Sequence, residues 1–451
     1  MAGEWETARL GDHVTHQKGF AFKSAEYRPS GHPIVRVSNF TDRSIDMAEC
    51  SYLDHDTVQQ YEAYKLKHRD AVIATVGSWP TNPASVVGKA ICVPEKAEGA
   101  LLNQNAVRLR TKSDLDQRYL FYLLKQPDFQ TYIVGTAQGS ASQASITLND
   151  IFGFEFQRPP LSEQKAIAAV LGALDDKIEL NRRMNATLEA MARALFQSWF
   201  VDFDPVRAKL DGRPPAALDP ATAALFPEHL EDSPLGHIPK GWKVGKIQDC
   251  CVQIQNGGTP RRNEPRFWDG GNIPWLASGE VRQSIITATE SFITEEGLAE
   301  SSAKWVPAFS TVVALYGATA GQVSFTSSHL TTNQAVCALI PKKDFAFFNY
   351  LTMREATAEL ENKAVGSAQQ NISKGIVEET KVVLPPPALI ERFAATASPM
   401  FERWISNLHQ SRTLATLRDT LLPKLLSGEL SVAGGNPPEF PDSSNQRNPK
   451  P

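Results

Sequence analysis

The feature that most constrains the fold of this 451-residue chain is an internal repeat spanning about half of its length. Trp5 begins WETARLGDHV, and Trp242 begins the similar WKVGKIQDCC. Further along, AVIATVGS (71–78), LLNQNAVRLR (101–110) and GSASQASI (139–146) match TVVALYGA (311–318), LTTNQAVCALIP (330–341) and GSAQQNIS (366–373) in the same order. Such a period is too long for a solenoid, so we predict two copies of one domain with different loop lengths.

Each copy has the same internal order of predicted elements. Short apolar runs bounded by Gly, Asn and Ser predict strands, and a helix follows near 116–125 in one copy and near 345–358 in the other. The predicted strands are Pro33–Val37, Ala71–Val76, Ala106–Leu109, Ile273–Leu276, Thr311–Leu315 and Ala335–Ile340. We therefore predict two α+β domains, at residues 1–158 and 240–384.

Prolines mark the end of each predicted domain, and a long helical pattern follows them. Pro159-Pro160 precedes the first pattern, where Ser162 is a predicted N-cap, and three prolines at 385–387 precede the second. The helices are predicted at 159–203 and 385–432, each ~50–60 Å long at 1.5 Å per residue. Pro399 lies inside the second pattern and is expected to kink that helix or delay its start.

Both helical patterns have apolar residues at heptad-like spacing, which is typical of a coiled-coil seam. Asn181 occupies one core position as a polar residue. The first stripe is Ile167, Val170, Leu174, Ile178, Met184, Leu188, Met191, Leu195 and Trp199. The second is Ile390, Phe393, Ala397, Met400, Trp404, Leu408, Ser411, Leu414, Leu417, Leu421 and Leu425.

Two further segments complete the predicted organisation. Residues 204–239 contain seven prolines and are predicted to form a stiff linker, with one helical turn near 221–226. Residues 433–451 are predicted to be a disordered tail.

Composition excludes several classes of protein. The hydrophobic fraction of 42% and charged fraction of 21% are ordinary for a folded protein, which excludes a disordered or collagen-like chain. Five cysteines without metal-ligand spacing indicate reduced thiols, not a zinc site or a disulfide framework. Because we find no signal peptide and no run of 18 apolar residues, we expect a cytoplasmic protein with no membrane partner.

No catalytic signature accompanies this organisation. The chain has no GxxxxGK[ST], HExxH or GxSxG, and Gly257-Gly258 is interpreted as a turn. His13 and His16 are interpreted as loop residues, and Asp175-Asp176 as a solvated helix face. We therefore predict a non-enzymatic chain with no catalytic residue, no metal ligand and no cofactor of its own.

Positive charge is local, because the net charge is -4 and neither repeat is basic overall. Arginine forks and lysines in clusters can contact phosphates or guanine edges, and exposed amides can read adenine. Single amides can equally satisfy backbone groups in turns, and both interpretations stay open. The predicted DNA-binding residues are Lys65, Lys67, Arg69, Arg108, Arg110, Arg261, Arg262, Arg266, Gln369 and Gln370. Asn103, Gln104, Asn105, Asn333, Gln334 and Asn371 are further amide candidates.

The chain resembles the specificity subunit of type I restriction-modification systems. The resemblance rests on segments spread along nearly the whole chain. They are PPLSEQKAIAAVLGALDDKIELNRR (159–183), ALFQSWFVDFDPVRAKLDG (194–212), LFPEHLEDSPLGHIPKGWKVGKI (225–247), GSAQQNIS (366–373) and LLPKLLSGEL (421–430). The second copy departs from the first, since PPPALIERF has no Glu-Gln pair.

The resemblance implies that each α+β domain is a target-recognition domain that reads one half of a bipartite DNA sequence. It implies that the two long helices form an antiparallel coiled coil with pseudo-two-fold symmetry, which sets the gap and docks two methyltransferase subunits. S-adenosylmethionine, ATP and Mg²⁺ would bind only in the modification and restriction subunits. The assembled complex would then act as a DNA adenine methyltransferase and ATP-dependent endonuclease.

Two other interpretations remain open on the residues alone. One is a coiled-coil adaptor or structural protein that binds protein partners without reading DNA. The other is the recognition portion of a single-chain restriction-methyltransferase. Selection of a two-part DNA motif with a fixed gap would separate the interpretation as a type I specificity subunit from these two.

Overall fold

The computed structural model describes residues 5–79, 81–82, 85–140, 143–365 and 371–432. The chain divides into two compact units. The first unit comprises residues 1–178 and 413–451, and the second comprises residues 179–412. Each unit contains one predicted α+β domain and part of each long helix.

The first unit is built around a four-stranded antiparallel sheet in the order β2-β9-β5-β7. Its strands are β1 (Glu6–Arg9), β2 (Val14–Lys18), β3 (His32–Val35), β4 (Ser51–Leu53), β5 (Ala71–Ala74), β6 (Val76–Gly77), β7 (Ala90–Cys92), β8 (Leu101–Leu102), β9 (Ala106–Thr111), β10 (Gln138–Ser140), β11 (Gln143–Ser145) and β12 (Glu155–Arg158). Its helices are α1 (Leu10–His13), α2 (Gln117–Lys125), α3 (Pro127–Gly135) and α4 (Leu148–Phe152), followed by the long helix α5 (Leu161–Phe196).

The second unit repeats this design with a five-stranded sheet in the order β16-β24-β21-β22-β18. Its strands are β13 (Leu230–Ser233), β14 (Gly236–Pro239), β15 (Lys243–Lys246), β16 (Cys251–Asn256), β17 (Ile273–Leu276), β18 (Ile285–Ile286), β19 (Ser291–Ile293), β20 (Trp305–Val306), β21 (Thr311–Ala314), β22 (Val323–Thr326), β23 (Leu330–Thr332), β24 (Val336–Pro341) and β25 (Lys381–Leu384). Its helices are α6 (Asp204–Leu210), α7 (Pro220–Ala224), α8 (Glu295–Ala299), α9 (Ala346–Glu355), α10 (Thr357–Val365) and α11 (Lys374–Glu378), followed by the long helix α12 (Pro387–Leu426).

The strand pairings confirm two copies of one α+β domain. In the first unit β1 pairs with β12, and β3 pairs in parallel with β8. In the second, β15 pairs with β25, and β17 pairs in parallel with β23. The strands and helices predicted from the repeat occur at β3, β5, β9, α2 and at β17, β21, β24, α9.

The predicted linker contains more regular structure than its prolines suggested. Residues 204–239 include α6, α7 and the antiparallel hairpin β13–β14, not one isolated turn. Phe226 and Ile238 are buried in the core cluster that holds Trp199, Phe200 and Trp242. Burial of these apolar side chains stabilises the segment, and its prolines sit where they are tolerated, as at the first turn of α6 and α7.

Pro399 does not delay the start of the second long helix, because α12 begins at Pro387 and is not interrupted at residue 399. A proline removes the N–H that would bond to the carbonyl four residues earlier, here that of Ala395. Pro399 and Ala395 are both exposed, so water can satisfy that carbonyl. On the opposite face Ala397 and Phe401 are buried, and this packing holds the helix together.

The two long helices run antiparallel in each unit. In the first unit, Asp175 of α5 bonds to Arg418 of α12. Trp5 donates to Glu163, earlier in α5, and its ring lies beside Gly428, just after α12. In the second, Asn185 accepts a hydrogen bond from Asn407, while Phe196 further along α5 packs on Phe393, earlier in α12. The antiparallel pairing predicted for the coiled coil is therefore confirmed within each unit.

The predicted apolar stripes are only partly correct. Val170, Met191 and Leu417 are exposed, whereas Leu171 and Arg418 are buried. An apolar pattern could not predict that arginine would occupy an inward position of α12. The reason is that α5 supplies a carboxylate for it at Asp175, 2.6 Å from the guanidinium.

Asp175 is correspondingly not part of a solvated helix face. Its carboxylate accepts from Arg418 and from the Tyr122 hydroxyl, at 2.6 and 2.8 Å. Burial, and then the charge of Asp175, raise the pKa of Tyr122, which keeps its hydroxyl as a donor. Burial alone would lower the pKa of Arg418, but hydrogen bonds to Asp419 and Asp175 raise it. Asp176 is exposed and pairs with Arg118.

Candidate nucleic-acid interface

In the first unit, three loops and a short strand meet at one end of the main sheet. The Phe20 N–H donates to the Leu102 carbonyl at 2.9 Å, and the Thr75 N–H donates to the Asn105 carbonyl at 2.8 Å. The Ile146 N–H in turn donates to the Thr75 carbonyl at 3.0 Å. We call this surface the first edge and define it by the described residues within 18–20, 75–79, 103–105 and 144–146.

The second unit builds the corresponding surface with the same three backbone bonds. Gly258 donates to the Thr332 carbonyl at 2.9 Å, and Leu315 donates to the Ala335 carbonyl at 2.8 Å. Ile372 donates to the Leu315 carbonyl at 2.9 Å. We call this surface the second edge and define it by residues 256–262, 315–318, 333–335 and 371–372. The repeated sequence segments therefore meet at one place in each unit.

One glycine at each edge is required by close packing of the backbone. A Cβ on Gly19 would overlap the carbonyl oxygen of Asn103, and a Cβ on Gly257 would overlap that of Thr332. A larger residue at either position would have to displace a neighbouring strand. The sequence predicts a turn at Gly257-Gly258 and does not single out Gly19, although an alignment of VTHQKG with VQIQNG pairs Gly19 with Gly257.

Several of the amide candidates lie at these edges. At the first edge Gln104 is exposed, whereas Asn103 is buried. At the second edge Asn333 accepts a bond from the Ala335 N–H at 3.1 Å, which is the turn-stabilising role. Gln334 is exposed, and its amide oxygen accepts a bond from the Thr259 hydroxyl. Gln369 and Gln370 lie outside the described residues.

Arg108 and Arg110 lie on β9 and are engaged by the protein. Arg110 forms a bidentate pair with Asp70, at 2.6 and 2.7 Å, and the Asp70 side chain is only 4% exposed. Arg108 donates to the carbonyls of Ala63 and Lys65 at 3.1 and 2.8 Å. Burial, and then the neighbouring Arg110, lower the pKa of Arg108. These contacts point to a structural role for both arginines.

The other cations of the first unit are more accessible. Lys65 pairs with Glu62, whereas Lys67 and Arg69 are exposed and their side chains form no ion pair among the described residues. Arg69 has a backbone φ of 67°. This group lies at the start of β5, where Ala71 pairs with Leu109, whereas the first edge lies at its other end. The structure therefore separates the predicted cation cluster from the amides at 103–105.

The three arginines of the second unit have different environments. Arg266 contacts three carboxylates, those of Glu264, Glu296 and Glu300. Arg261 and Arg262 are exposed, on the loop that leaves the second edge. Sequence alone could not distinguish these three arginines. The carboxylates of Glu296, within α8, and of Glu300, just after it, lie about thirty residues from Arg266 in the chain.

The described residues contain no group of three or more His, Cys, Asp or Glu side chains that could hold a metal ion. All five cysteines are free. Burial raises the pKa of Cys250, Cys251 and Cys337 to about 12, so these thiols stay protonated. Within the ranges covered by the structure, no helix is both long and apolar enough to cross a membrane.

Comparison with known proteins identifies relatives that cover about 70% of this chain. The specificity subunit of the type I restriction enzyme HindI from Haemophilus influenzae is 31% identical over 356 residues, which cover 69% of this chain and 77% of that protein. The MjaIX specificity subunit from Methanocaldococcus jannaschii is 26% identical over 340 residues, covering 73% of each chain.

A solved structure supports the fold. The crystal structure of a type I restriction-modification S subunit from M. genitalium aligns over 94% of this chain and 96% of its own length, with a TM-score of 0.58 and 15% identity. The family model for the type I restriction modification DNA specificity domain matches twice, over residues 2–190 and 239–389. The two matches fall on the two repeats, and the chain belongs to the family of type I restriction-modification DNA specificity proteins.

Proposed function

We propose that this chain is the DNA-sequence-specificity subunit of a type I restriction-modification complex, and that each α+β domain reads one half of a bipartite target. The observation that carries the proposal is the duplicated edge. Both units close the same end of the main sheet with the same three backbone bonds and expose an amide there, Gln104 in one and Gln334 in the other. An edge that is held by backbone bonds while its side chains vary suits a family of readers with different targets.

We divide the candidate residues, at the edges and elsewhere, by what they contact. The exposed Gln104, Gln334 and Arg262 are proposed to reach base edges, where amides and guanidinium forks give sequence information. Lys67 and Arg69 are proposed to contact phosphates, which position the protein without reading sequence. Lys65, Arg108, Arg110 and Arg266 already have partners within the protein, so we expect them to contribute less.

The long helices are proposed to set the gap between the half-sites and to dock two methyltransferase subunits. We expect S-adenosylmethionine, ATP and Mg²⁺ to bind in the partner subunits, and the assembled complex to methylate adenine and to cleave DNA with ATP. The relatives named as specificity subunits of type I restriction enzymes support this assignment. The net charge of -4 suggests that partners supply much of the phosphate contact.

The proposal is tested by selecting random-sequence duplexes with the full-length chain, alone and with its modification subunits. We expect a motif of two short specified parts separated by a fixed unspecified gap. Absence of any sequence preference in every complex would contradict the proposal and favour a coiled-coil adaptor.

The salt dependence of binding tests how much of the phosphate contact the partners supply. The isolated chain should show a shallower dependence of affinity on salt than the complex, and an equal slope would contradict that contribution.

The role of the helices in setting the gap has its own test. Inserting four residues into the middle of α5 lengthens a helix by about 6 Å, which is close to the rise of two base pairs. We expect the selected gap to lengthen while both specified halves stay unchanged. An unchanged gap with intact binding would count against the helices as the determinant of spacing.

A further inference from the structure

Arg262 lies in a corner formed by two tryptophans beside the second edge. We propose that Arg262 is the residue that reads a guanine in the half-site of the second domain. The inference rests on the proposed function, because it names one residue and one base within the DNA reading assigned above. It follows from how the guanidinium is held and from which of its groups remain unused.

The guanidinium is held in place by aromatic contacts. Its central carbon lies 4.1 Å from the ring centroid of Trp268 and 4.7 Å from that of Trp275. The two indoles are nearly perpendicular, at 87°, with centroids 5.1 Å apart. Each indole N–H is anchored to backbone, Trp268 to the Arg261 carbonyl at 3.0 Å and Trp275 to the Gly258 carbonyl at 2.9 Å. The corner is therefore a rigid support, and cation–π attraction holds the guanidinium in it.

The hydrogen-bonding groups of Arg262 are not used by the protein. In the described ranges its side chain forms no ion pair and no hydrogen bond, and the residue is exposed. Arg266, four residues along the same loop, contacts three carboxylates instead. The contacts with the two indoles are cation–π contacts and not hydrogen bonds to another side chain or to backbone, so the N–H donors of Arg262 remain available for a ligand.

The position of the corner connects it to the second edge. Gly258, which receives the Trp275 bond, also donates to the Thr332 carbonyl of that edge. The next residue, Thr259, donates its hydroxyl to the exposed Gln334. The segment that carries Arg262 is thus attached to the edge at consecutive residues, and a fork and an amide are presented from one surface.

Guanine is the base that such a group fits. A planar fork held in one orientation matches the two acceptors O6 and N7 on the major-groove edge of guanine. A phosphate contact needs no fixed plane, since a lysine ammonium also provides it. Fixing the fork before binding also reduces the side-chain entropy that would be lost in the complex.

The test is motif selection with the assembled complex, comparing the wild type with Arg262→Lys. We expect the wild-type motif to contain a guanine in one half, and Arg262→Lys to lower the preference for that guanine by roughly 10- to 100-fold while the other half is unchanged. Arg282→Lys is the matched control, because it makes the same change at an exposed arginine of the same unit that lies outside the second edge. It should leave the motif unchanged.

The possible outcomes show whether the inference about Arg262 or the proposed function has failed. Uniformly weaker binding of all duplexes by Arg262→Lys, with the guanine preference retained, would make Arg262 a phosphate contact and overturn the inference. A wild-type motif with no guanine in the affected half would also overturn it. A wild type that selects no two-part motif would instead overturn the proposed function. Trp268→Leu removes one wall of the corner and keeps the fork, so an unchanged guanine preference in that variant counts against the inference even if Arg262→Lys fails to fold.

Discussion

In the first unit the helix pair is held by charges: Arg418 of α12 lies between Asp175 and Asp419, at 2.6 and 2.9 Å. In the second unit the same two helices meet through amides. Asn181 donates to Gln410 at 2.9 Å and to Ser411 at 3.2 Å. The two long helices thus form one kind of polar contact in each unit, and the two kinds should differ in their response to pH and in the cost of losing one partner.

The two edges show the opposite relation. Their backbone bonds and required glycines are the same, but their exposed side chains differ, with Lys18 and Gln104 at one and Arg262 and Gln334 at the other. Backbone geometry repeats where the fold requires it, and side chains diverge where they are free to face a ligand. The two units therefore differ in the polar contacts that join the long helices, whereas the two edges differ only in their exposed side chains.

The largest expected effect is at the charged contact of the first unit. Arg418→Ala leaves the carboxylate of Asp175 half-buried without its closest cation, so we expect the unfolding free energy to fall by about 3 kcal/mol. Amide hydrogen exchange should localise the loss to residues 161–178 and 413–426. The control is Arg183→Ala on α5, which breaks an exposed ion pair with Glu179 and should change stability by about 0.5 kcal/mol or less. Equal effects of the two variants would contradict the difference.

The glycines at the edges come next. Gly19→Ala and Gly257→Ala each force a Cβ into a carbonyl oxygen, so we expect a loss of about 2 kcal/mol in the affected unit. The selected DNA motif should lose the half read by that unit and keep the other half. Gly135→Ala and Gly279→Ala are matched controls, because a Cβ at either position meets no atom within 4 Å. If both halves disappear together, the edges do not read independently.

The amide contact of the second unit should be weaker than the charged one. Asn185→Ala removes the acceptor for the buried Asn407 amide and should cost about 1 kcal/mol. Hydrogen exchange is expected to increase in residues 179–196 and 387–412. Thr187→Ala is the nearby exposed control, with an expected change within about 0.5 kcal/mol. A loss as large as that of Arg418→Ala would remove the distinction between the two contacts.

The smallest expected effect is a pH dependence confined to the first unit. Burial opposes ionisation of Asp419, but the hydrogen bond and charge of Arg418 outweigh it and lower the pKa of Asp419 below its ordinary value of 3.8. A lowered folded-state pKa stabilises the fold above the unfolded-state value, and that contribution disappears as the pH falls through the folded-state value. Because Asp419 is more than half exposed, we expect a change well below about 1 kcal/mol.

This dependence is measured by following hydrogen exchange of both units at decreasing pH, for the wild type and for Asp419→Asn. The substitution should reduce the acid sensitivity of residues 413–426 and leave that of residues 179–196 unchanged. Equal acid sensitivity of wild type and variant in residues 413–426 would show that Asp419 does not contribute.

Much of the architecture was predictable from the sequence because it depends on local patterns. The strand predicted at Ala71–Val76 occurs at Ala71–Ala74, and the helix predicted near 116–125 occurs at Gln117–Lys125. The proline clusters placed the start of each long helix to within two residues, whereas α5 and α12 end seven and six residues before the predicted bounds. The polar core position of Asn181 was also correct, since this side chain is fully buried and bonded across the helix pair.

The candidate site was less predictable, because charge clusters in sequence do not show which charges are already paired. Arg110 and Arg266 looked available, but Asp70 holds one from forty residues away, and Glu296 and Glu300 hold the other from about thirty. The inward-facing positions predicted for α12 were partly wrong for a related reason. Leu417 faces solvent, because the inward position is taken by Arg418 opposite Asp175.

Repeats, proline positions and hydrophobic periodicity therefore specify the number of domains, their α+β character and the two long helices, because such patterns act over a few residues at a time. The family is indicated instead by the segments that resemble those of specificity subunits. Only the tertiary structure decided which arginines are neutralised, why Gly19 and Gly257 are required, and how two tryptophans orient Arg262. Those properties depend on contacts between residues distant in the chain, and a side chain's charge or size does not specify its partner until the backbone has brought the two together.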